Sequence, residues 1–211
     1  MNLSNASSAS PIRFAGSELG AVRHICAFFS SPEEEYRVLL PFIVDGFQSG
    51  DKEFHVVDPK LREAHLERLA DAGVDLEKAE KSGQLKLCDW NEAYLPDGRF
   101  SQNRMLAMWE DELAAARRAG FPLTRVVAHM EWNLEDREGV SDLVEYEARF
   151  NLLPKSADPV ICTYDLTKYS GDFVVDVMRT HPLVIMGGVM WENPFYVPPE
   201  EFLKEWRNRR R

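Results

Sequence analysis

His24-Ile25-Cys26-Ala27-Phe28-Phe29-Ser30-Ser31-Pro32-Glu33-Glu34-Glu35-Tyr36 runs from an almost wholly apolar stretch, through a Ser-Ser-Pro stop, into three consecutive acids. A short apolar run bounded by turn signals reads as a strand buried on both faces, and Ser31-Pro32 before the acids reads as a capped helix start. A strand feeding straight into a helix is where a nucleotide-binding α/β fold carries its phosphate loop. That loop needs glycines so that backbone N–H groups can close on the phosphates, a lysine for the terminal oxygens, and a Ser or Thr for magnesium. The segment has neither the glycines nor the lysine. Carboxylates at Glu33, Glu34 and Glu35 suit a helix N-terminus but repel a triphosphate placed there.

Working outward, strand-like and helix-like runs alternate along the chain. Strands are predicted over 24–29, 53–58, 84–89, 125–132, 160–165 and 183–189, with helices over 33–48, 60–72, 101–120, 141–153 and 172–180. In 33–48 the apolar residues Tyr36, Leu39, Leu40, Ile43, Val44 and Phe47 fall near helical spacing, with Gly50 beyond the end. Continuous apolar strands separated by helices indicate a mostly parallel sheet covered on both faces, a three-layer α/β sandwich of about six strands. Pro198-Pro199 opens a terminal helix over 200–207, whose Phe202, Leu203 and Trp206 pack back on the core.

The 211 residues, 45% hydrophobic, suffice for one core. The expected organisation is a flexible, Ser-rich tail over 1–20 and a single domain over 21–211. Thirty-five acids against 25 Lys and Arg give a net charge of -10, which disfavours nucleic acid or an anionic membrane as a direct partner. Three cysteines, an odd number, all in strand-like segments, argue against a disulfide framework. With no signal-peptide or membrane-length apolar run, a reduced cytoplasmic protein is expected.

Several segments are similar to one known family. HICAFF with its acidic helix start, PFIVDGFQSGDKEFHVVD, MEW, YEARFN, C-x-YD, and RTHPLVIMGG followed by NPFYVPPEEF recur in order between His24 and Leu203. Together they resemble the MEDS sensory domain, a family named for methanogen and methylotroph proteins and for a dichloromethane-responsive regulator. The resemblance implies a RecA-like fold related to the clock-protein ATPases but with a degenerate phosphate loop. It also implies sensing of small molecules such as hydrocarbon derivatives, usually in a chain joined to a helix-turn-helix or histidine-kinase output module. No such module is recognisable here, so a separate protein partner is expected, either a kinase or a transcription regulator. A homodimer is a further expectation.

Candidate site residues come in pairs two apart, which share one face of a strand: His24 with Cys26, His129 with Glu131, Cys162 with Tyr164. Ligands in open parallel sheets bind at the carboxyl ends of the strands. That rule brings Phe28, Glu131, Trp132 and Tyr164 toward one cleft, with Asn151 and Tyr196 as walls. Glu131 is read as a polar anchor or a structural acceptor, not a catalytic group. Tyr146, Glu147, Arg149 and Asn151 form either a helix flank with surface ion pairs or a polar wall, and His181-Pro182 reads as a helix stop. No C-x-x-C or H-x-x-x-H spacing is present, so neither a metal nor a cofactor is expected.

The resulting expectation is a non-catalytic sensory domain that binds a small, largely apolar molecule and signals to a partner. The alternative is a ligand-free interaction module. ATP and GTP are expected not to bind specifically. Micromolar affinity in calorimetry, altered by charge reversal at Glu33, Glu34 and Glu35, would contradict the reading of the acidic segment.

Overall fold

The computed structural model describes residues 12–21, 23–154 and 157–210. Strands β1 (Arg13–Phe14) and β2 (Ser17–Glu18) form a small hairpin; β3 (His24–Phe29) leads into α1 (Pro32–Ser49) and β4 (Lys52–Val57). Next come α2 (Arg62–Asp71), α3 (Leu76–Lys81), β5 (Leu85–Asp89), α4 (Trp90–Ala93), α5 (Gln102–Arg118), β6 (Thr124–His129) and α6 (Leu143–Phe150). The chain continues through β7 (Val160–Asp165), α7 (Gly171–Met178), β8 (Leu183–Met186), β9 (Val189–Glu192) and α8 (Pro199–Arg209).

The main sheet has seven strands in the order β5-β4-β6-β7-β3-β8-β9, all parallel except β9. Every residue of β3 is buried, because β7 and β8 flank it and helices cover both faces. Alternation sorts its side chains between the layers. Cys26 and Phe28 join the core formed with α5, α6 and α8, while Ile25, Ala27 and Phe29 join the core formed with α1 and α2. Hydrophobic burial at roughly 25 cal/mol per Å² on two faces of the six parallel strands is the main favourable term holding the sandwich together.

The differences from expectation have local causes. The run 183–189 is not one strand: Gly187 and Gly188, both at positive φ (60° and 77°), make a two-residue hairpin turn and send β9 back antiparallel, giving a seventh strand. The fourth predicted strand stops at His129, and Glu131 and Trp132 fall in a 3-10 turn, Glu131–Leu134. Helix α3, not anticipated, starts where the Asp75 carboxylate accepts the Lys78 N–H. The expected tail is ordered from Ile12 onward. Ile12, Phe14 and Leu19 are buried, and the Phe14 ring lies 4.5 Å from that of Phe42. The rest of that tail lies outside the described residues.

Arg125 on β6 clamps the lower edge of the second layer. Its Nε donates to Asp51 at 2.8 Å, Nη2 to Asp45 at 2.7 Å, and Nη1 to the Phe42 carbonyl at 2.7 Å, with the guanidinium over the Phe42 ring. Gly46 of α1 passes directly above. A Cβ there would stand 1.8 Å from Glu53 Oε1 and 2.7 Å from Arg125 Cδ. Gly to Ala in a helix normally stabilises by up to about 1 kcal/mol, but overpacking two locked side chains costs about 1–3 kcal/mol and wins. Gly46→Ala is therefore expected to lower the urea midpoint; an unchanged or raised midpoint would show that Glu53 and Arg125 yield freely.

Candidate functional site

The densest polar cluster lies between the sheet and α6. Glu147 is wholly buried, and its Oε2 sits 3.2 Å from His24 Nε2 and 3.3 Å from His181 Nε2. Cys162 Sγ is 3.7 Å from both His24 Nε2 and Glu147 Oε2, and Tyr164 donates its hydroxyl to Glu147 Oε1 at 3.4 Å. The alternation of β3 and β7 puts His24, Cys26, Cys162 and Tyr164 on one face. Their register, with Cys26 beside Cys162 and Phe28 beside Tyr164, aligns them. His181 arrives from the turn after α7, and Glu147 from the inner stripe of α6.

The far sides of both imidazoles are fixed. Asn151 donates its amide N–H groups to the carbonyls of Glu147 and Thr180, which turns its Oδ1 toward His24 Nδ1 at 3.1 Å. His181 Nδ1 faces the Val177 carbonyl at 2.9 Å. A carbonyl oxygen only accepts, so each Nδ1 carries a proton and each Nε2 points at the carboxylate. Burial pushes the Glu147 carboxyl up, but the adjoining His181 and His24 outweigh it and hold the group at about 2. Burial, reinforced by His181, lowers His24, and burial raises the Cys26 and Cys162 thiols.

One wall of this cluster is also the wall of a cavity of about 290 Å³. His24, Asn151 and Tyr196 line it with the apolar Leu113, Phe150, Leu153, Val160 and Pro182. It lies at the amino ends of β3 and β7, opposite to the end expected.

The predicted residues thus divide. His24, Asn151 and Tyr196 meet at the cavity, and Cys26, Cys162 and Tyr164 lie inward of it. Phe28 packs 5.5 Å from the Tyr164 ring in the core. Trp132 is fully buried, stacked on Tyr94 with centroids 4.6 Å apart, in the aromatic core. Glu131 accepts the Asp165 N–H at 2.8 Å, the structural-acceptor role. His129 is one register step out of phase with Cys162, being level with Thr163, and so faces the other layer. There its Nε2 meets Glu35 at 3.1 Å.

Sequence reasoning left Glu147 between a helix flank and a polar wall and read His181 as a helix stop, and so joined neither to His24 and Cys162. Glu147 left a trace: it falls four after Leu143 and three after Val144, on the apolar stripe of its helix, where a charge is out of place. His181 left none beyond its helix-stopping position.

The opposite layer holds a second buried chain. Glu53 Oε2 bonds His55 Nε2 at 3.0 Å, His55 Nδ1 meets His65 Nε2 at 2.9 Å, and His65 Nδ1 meets the Tyr36 hydroxyl at 2.7 Å. Burial, with the charge of His129, lowers His55 to about 3, and burial likewise lowers His65. Burial also pushes His129 down, but Glu35 outweighs it and the net direction is up.

At the carboxyl edge the phosphate-loop position is filled from within. Ser31 caps α1 by accepting the Glu34 N–H at 3.2 Å, and Glu34 accepts the Ser30 N–H at 2.8 Å. A RecA-like three-layer α/β domain with an acidic helix start in place of its phosphate loop defines the class of protein. Residues 23–182 match the family described as "MEDS: MEthanogen/methylotroph, DcmR Sensory domain", and the chain belongs to that family. It is 26% identical over 175 residues, 82% of its length, to the transcriptional repressor DcmR of Methylorubrum extorquens. The chain spans about 63% of the length of that relative. In fold alone it is similar to a KaiC-like protein of Pyrococcus horikoshii OT3, with a TM-score of 0.52 at 17% identity over 77% of this chain and 69% of that one.

The buried imidazoles set a pH dependence. Below the ordinary histidine value of about 6.5 the unfolded chain takes up protons that folded His55 and His65 refuse, so stability falls as pH drops from there toward 3. His129 acts in the opposite sense, its contribution being present at low pH and lost as pH rises through its raised value. His24 is a third lowered imidazole, while the raised carboxyls of Glu53 and Glu131 act in the same sense as His129, so the clean readout is the difference made by removing one lowered group. Between about pH 7 and about pH 5 the parent is expected to lose more of its urea midpoint, or gain less, than His55→Asn; equal slopes in parent and variant would refute the assignment.

Proposed function

We propose that this domain is a non-catalytic cytoplasmic sensor that takes a small, largely apolar molecule into the cavity beside His24 and reports its presence to a protein partner. A sensory role in regulation follows from the family and from the repressor relative. The identity of the ligand site is our own reading. The observation that carries it is the shared wall: His24 lines the cavity and also contacts Glu147, so occupancy acts directly on a buried charge.

The chemistry of the walls favours this class of ligand. Apolar surface from Leu113, Phe150, Leu153 and Val160 supplies affinity, and a few convergent polar groups supply orientation. At about 290 Å³ the space suits a molecule of a few heavy atoms. The partner is a kinase or a transcription regulator, in keeping with the repressor relative. Direct contact with nucleic acid is disfavoured by the net charge of -10. Among the described residues no helix is long and apolar enough to cross a membrane.

A second reading, the interaction module without a ligand, is favoured by the β8–β9 hairpin. Val189 and Trp191 alternate with buried Met190 and face outward, Trp191 being 59% exposed. Exposed aromatic residues of this kind serve protein contacts.

Native mass spectrometry of freshly purified protein, followed by NMR titration with small halogenated and methylated hydrocarbons, tests the sensor. Leu153→Trp fills the cavity from its partly exposed rim. It is expected to weaken binding at least about tenfold while leaving the unfolding midpoint unchanged. Equal binding by parent and variant would place the ligand elsewhere. A partner complex lost in Trp191→Ser, with no compound bound by the parent, would favour the interaction module.

A further inference from the structure

We propose that His24, Glu147, Cys162 and His181 form a binding site for one divalent transition-metal ion of the zinc class. The inference stands apart from the sensor reading, since it rests on the four side chains and not on the cavity.

The donor atoms, two imidazole nitrogens, a carboxylate oxygen and a thiol sulfur, all lie within 4.8 Å of one another and belong to buried residues. A tetrahedral zinc centre, with metal–nitrogen or metal–oxygen distances near 2.0–2.1 Å and metal–sulfur near 2.3 Å, has edges of roughly 3.3 Å between N or O donors and roughly 3.6 Å to sulfur. The observed separations are 3.2 Å and 3.3 Å from Glu147 to the two imidazoles, and 3.7 Å from Cys162 to His24 and to Glu147. Four of the six edges thus stand near the lengths such an ion requires, and the other two, from His181 to His24 and to Cys162, lie within 4.8 Å and close on binding.

The hydrogen-bond pattern points the same way. Both Nδ1 atoms donate outward, to Asn151 Oδ1 and to the Val177 carbonyl, so each Nε2 faces inward and, in the neutral ring, offers its lone pair there. His181 is 0% exposed, yet its Nε2 makes no aligned hydrogen bond although Glu147 is 3.3 Å away. A nitrogen and a carboxylate oxygen this close need something positive between them, a proton or a metal ion, and the sulfur of Cys162 beside them suits the ion. Tyr164 holds the other carboxylate oxygen, so Glu147 presents Oε2 alone to the centre. Cys26 is not a member of the set: its sulfur turns to the Leu183 carbonyl.

Charge also balances. A divalent ion with one carboxylate, one thiolate and two neutral imidazoles is a neutral buried unit, and a mixed N, S and O set suits zinc better than calcium or magnesium. On binding, Cys162 gives up its thiol proton to solvent. Four protein donors close the site, the arrangement of a structural centre.

The test uses the full chain, stripped with chelator and titrated with Co²⁺ as an optical probe and then Zn²⁺. One equivalent of Co²⁺ is expected to give the intense visible bands of a tetrahedral ion together with a near-ultraviolet thiolate charge-transfer band. Cys162→Ser is expected to lose the charge-transfer band, and Asn151→Ala, which releases His24 Nδ1, to weaken affinity by about 10–100-fold. Far-ultraviolet circular dichroism checks that each variant is folded. Weak octahedral bands, a charge-transfer band that survives in folded Cys162→Ser, or no binding by the stripped parent would each overturn the proposal. Leu153→Trp leaves all four donors in place, so failure of the cavity reading and failure of the metal site are separable.

Discussion

Glu147 is a fully buried carboxylate, and a buried charge is tolerated only where its neighbours replace the water it has lost. The replacements come from three segments. His24 arrives on β3, Cys162 and Tyr164 on β7, and His181 from the turn after α7. Asn151, one helical turn beyond Glu147, ties the end of α6 to the Thr180 carbonyl and to His24. A single side chain on α6 therefore sets where the helix lies against the sheet and where the cavity wall stands. Breaking one partner leaves an uncompensated charge, which costs more than the pair contributes when intact.

The carboxyl edge of the sheet, where open α/β folds ordinarily bind their ligands, is closed by internal pairing. Glu34 and Ser31 satisfy the turn and the first N–H groups of α1, Glu35 meets His129, and Glu131 takes the Asp165 N–H. The backbone donors that would hold a phosphate are thus engaged by the chain itself. What the fold retains is the rigid two-faced sheet. Its cavity has moved to the amino edge, between β3, β7 and the ends of α5 and α6.

For a sensor the arrangement has a direct physical meaning. A ligand shifts an equilibrium only by the difference in its affinity for two states. In the proposed reading, a molecule beside His24 would change the surroundings of an imidazole that contacts Glu147 and whose ring centroid lies 4.1 Å from that of His181. The proposed metal ion would stiffen the same junction, because it joins β3, α6, β7 and the turn after α7 at one point. The family places such domains in sensing, and the repressor relative places one in transcriptional control.

Much of the fold was legible in the sequence because its signals are local. The apolar runs at 24–29 and 160–165, the Ser31 cap and the acidic start of α1 each depend on neighbours a few residues away. The same locality explains the misreadings. A two-residue alternation correctly put His24 with Cys26 and His129 with Glu131, but parity between strands is a matter of register, and register set His129 on the far face. Trp132 beside Glu131 looked like pocket wall until the chain turned it into the aromatic core with Tyr94 and Phe100. Glu147 and His181 carry no ligand spacing, since their partners come from distant segments. The sequence by itself determined the layers, the lost phosphate loop and the family. Only the tertiary structure decided which edge holds the cavity and which four side chains converge, because those depend on distances between segments that no local pattern encodes.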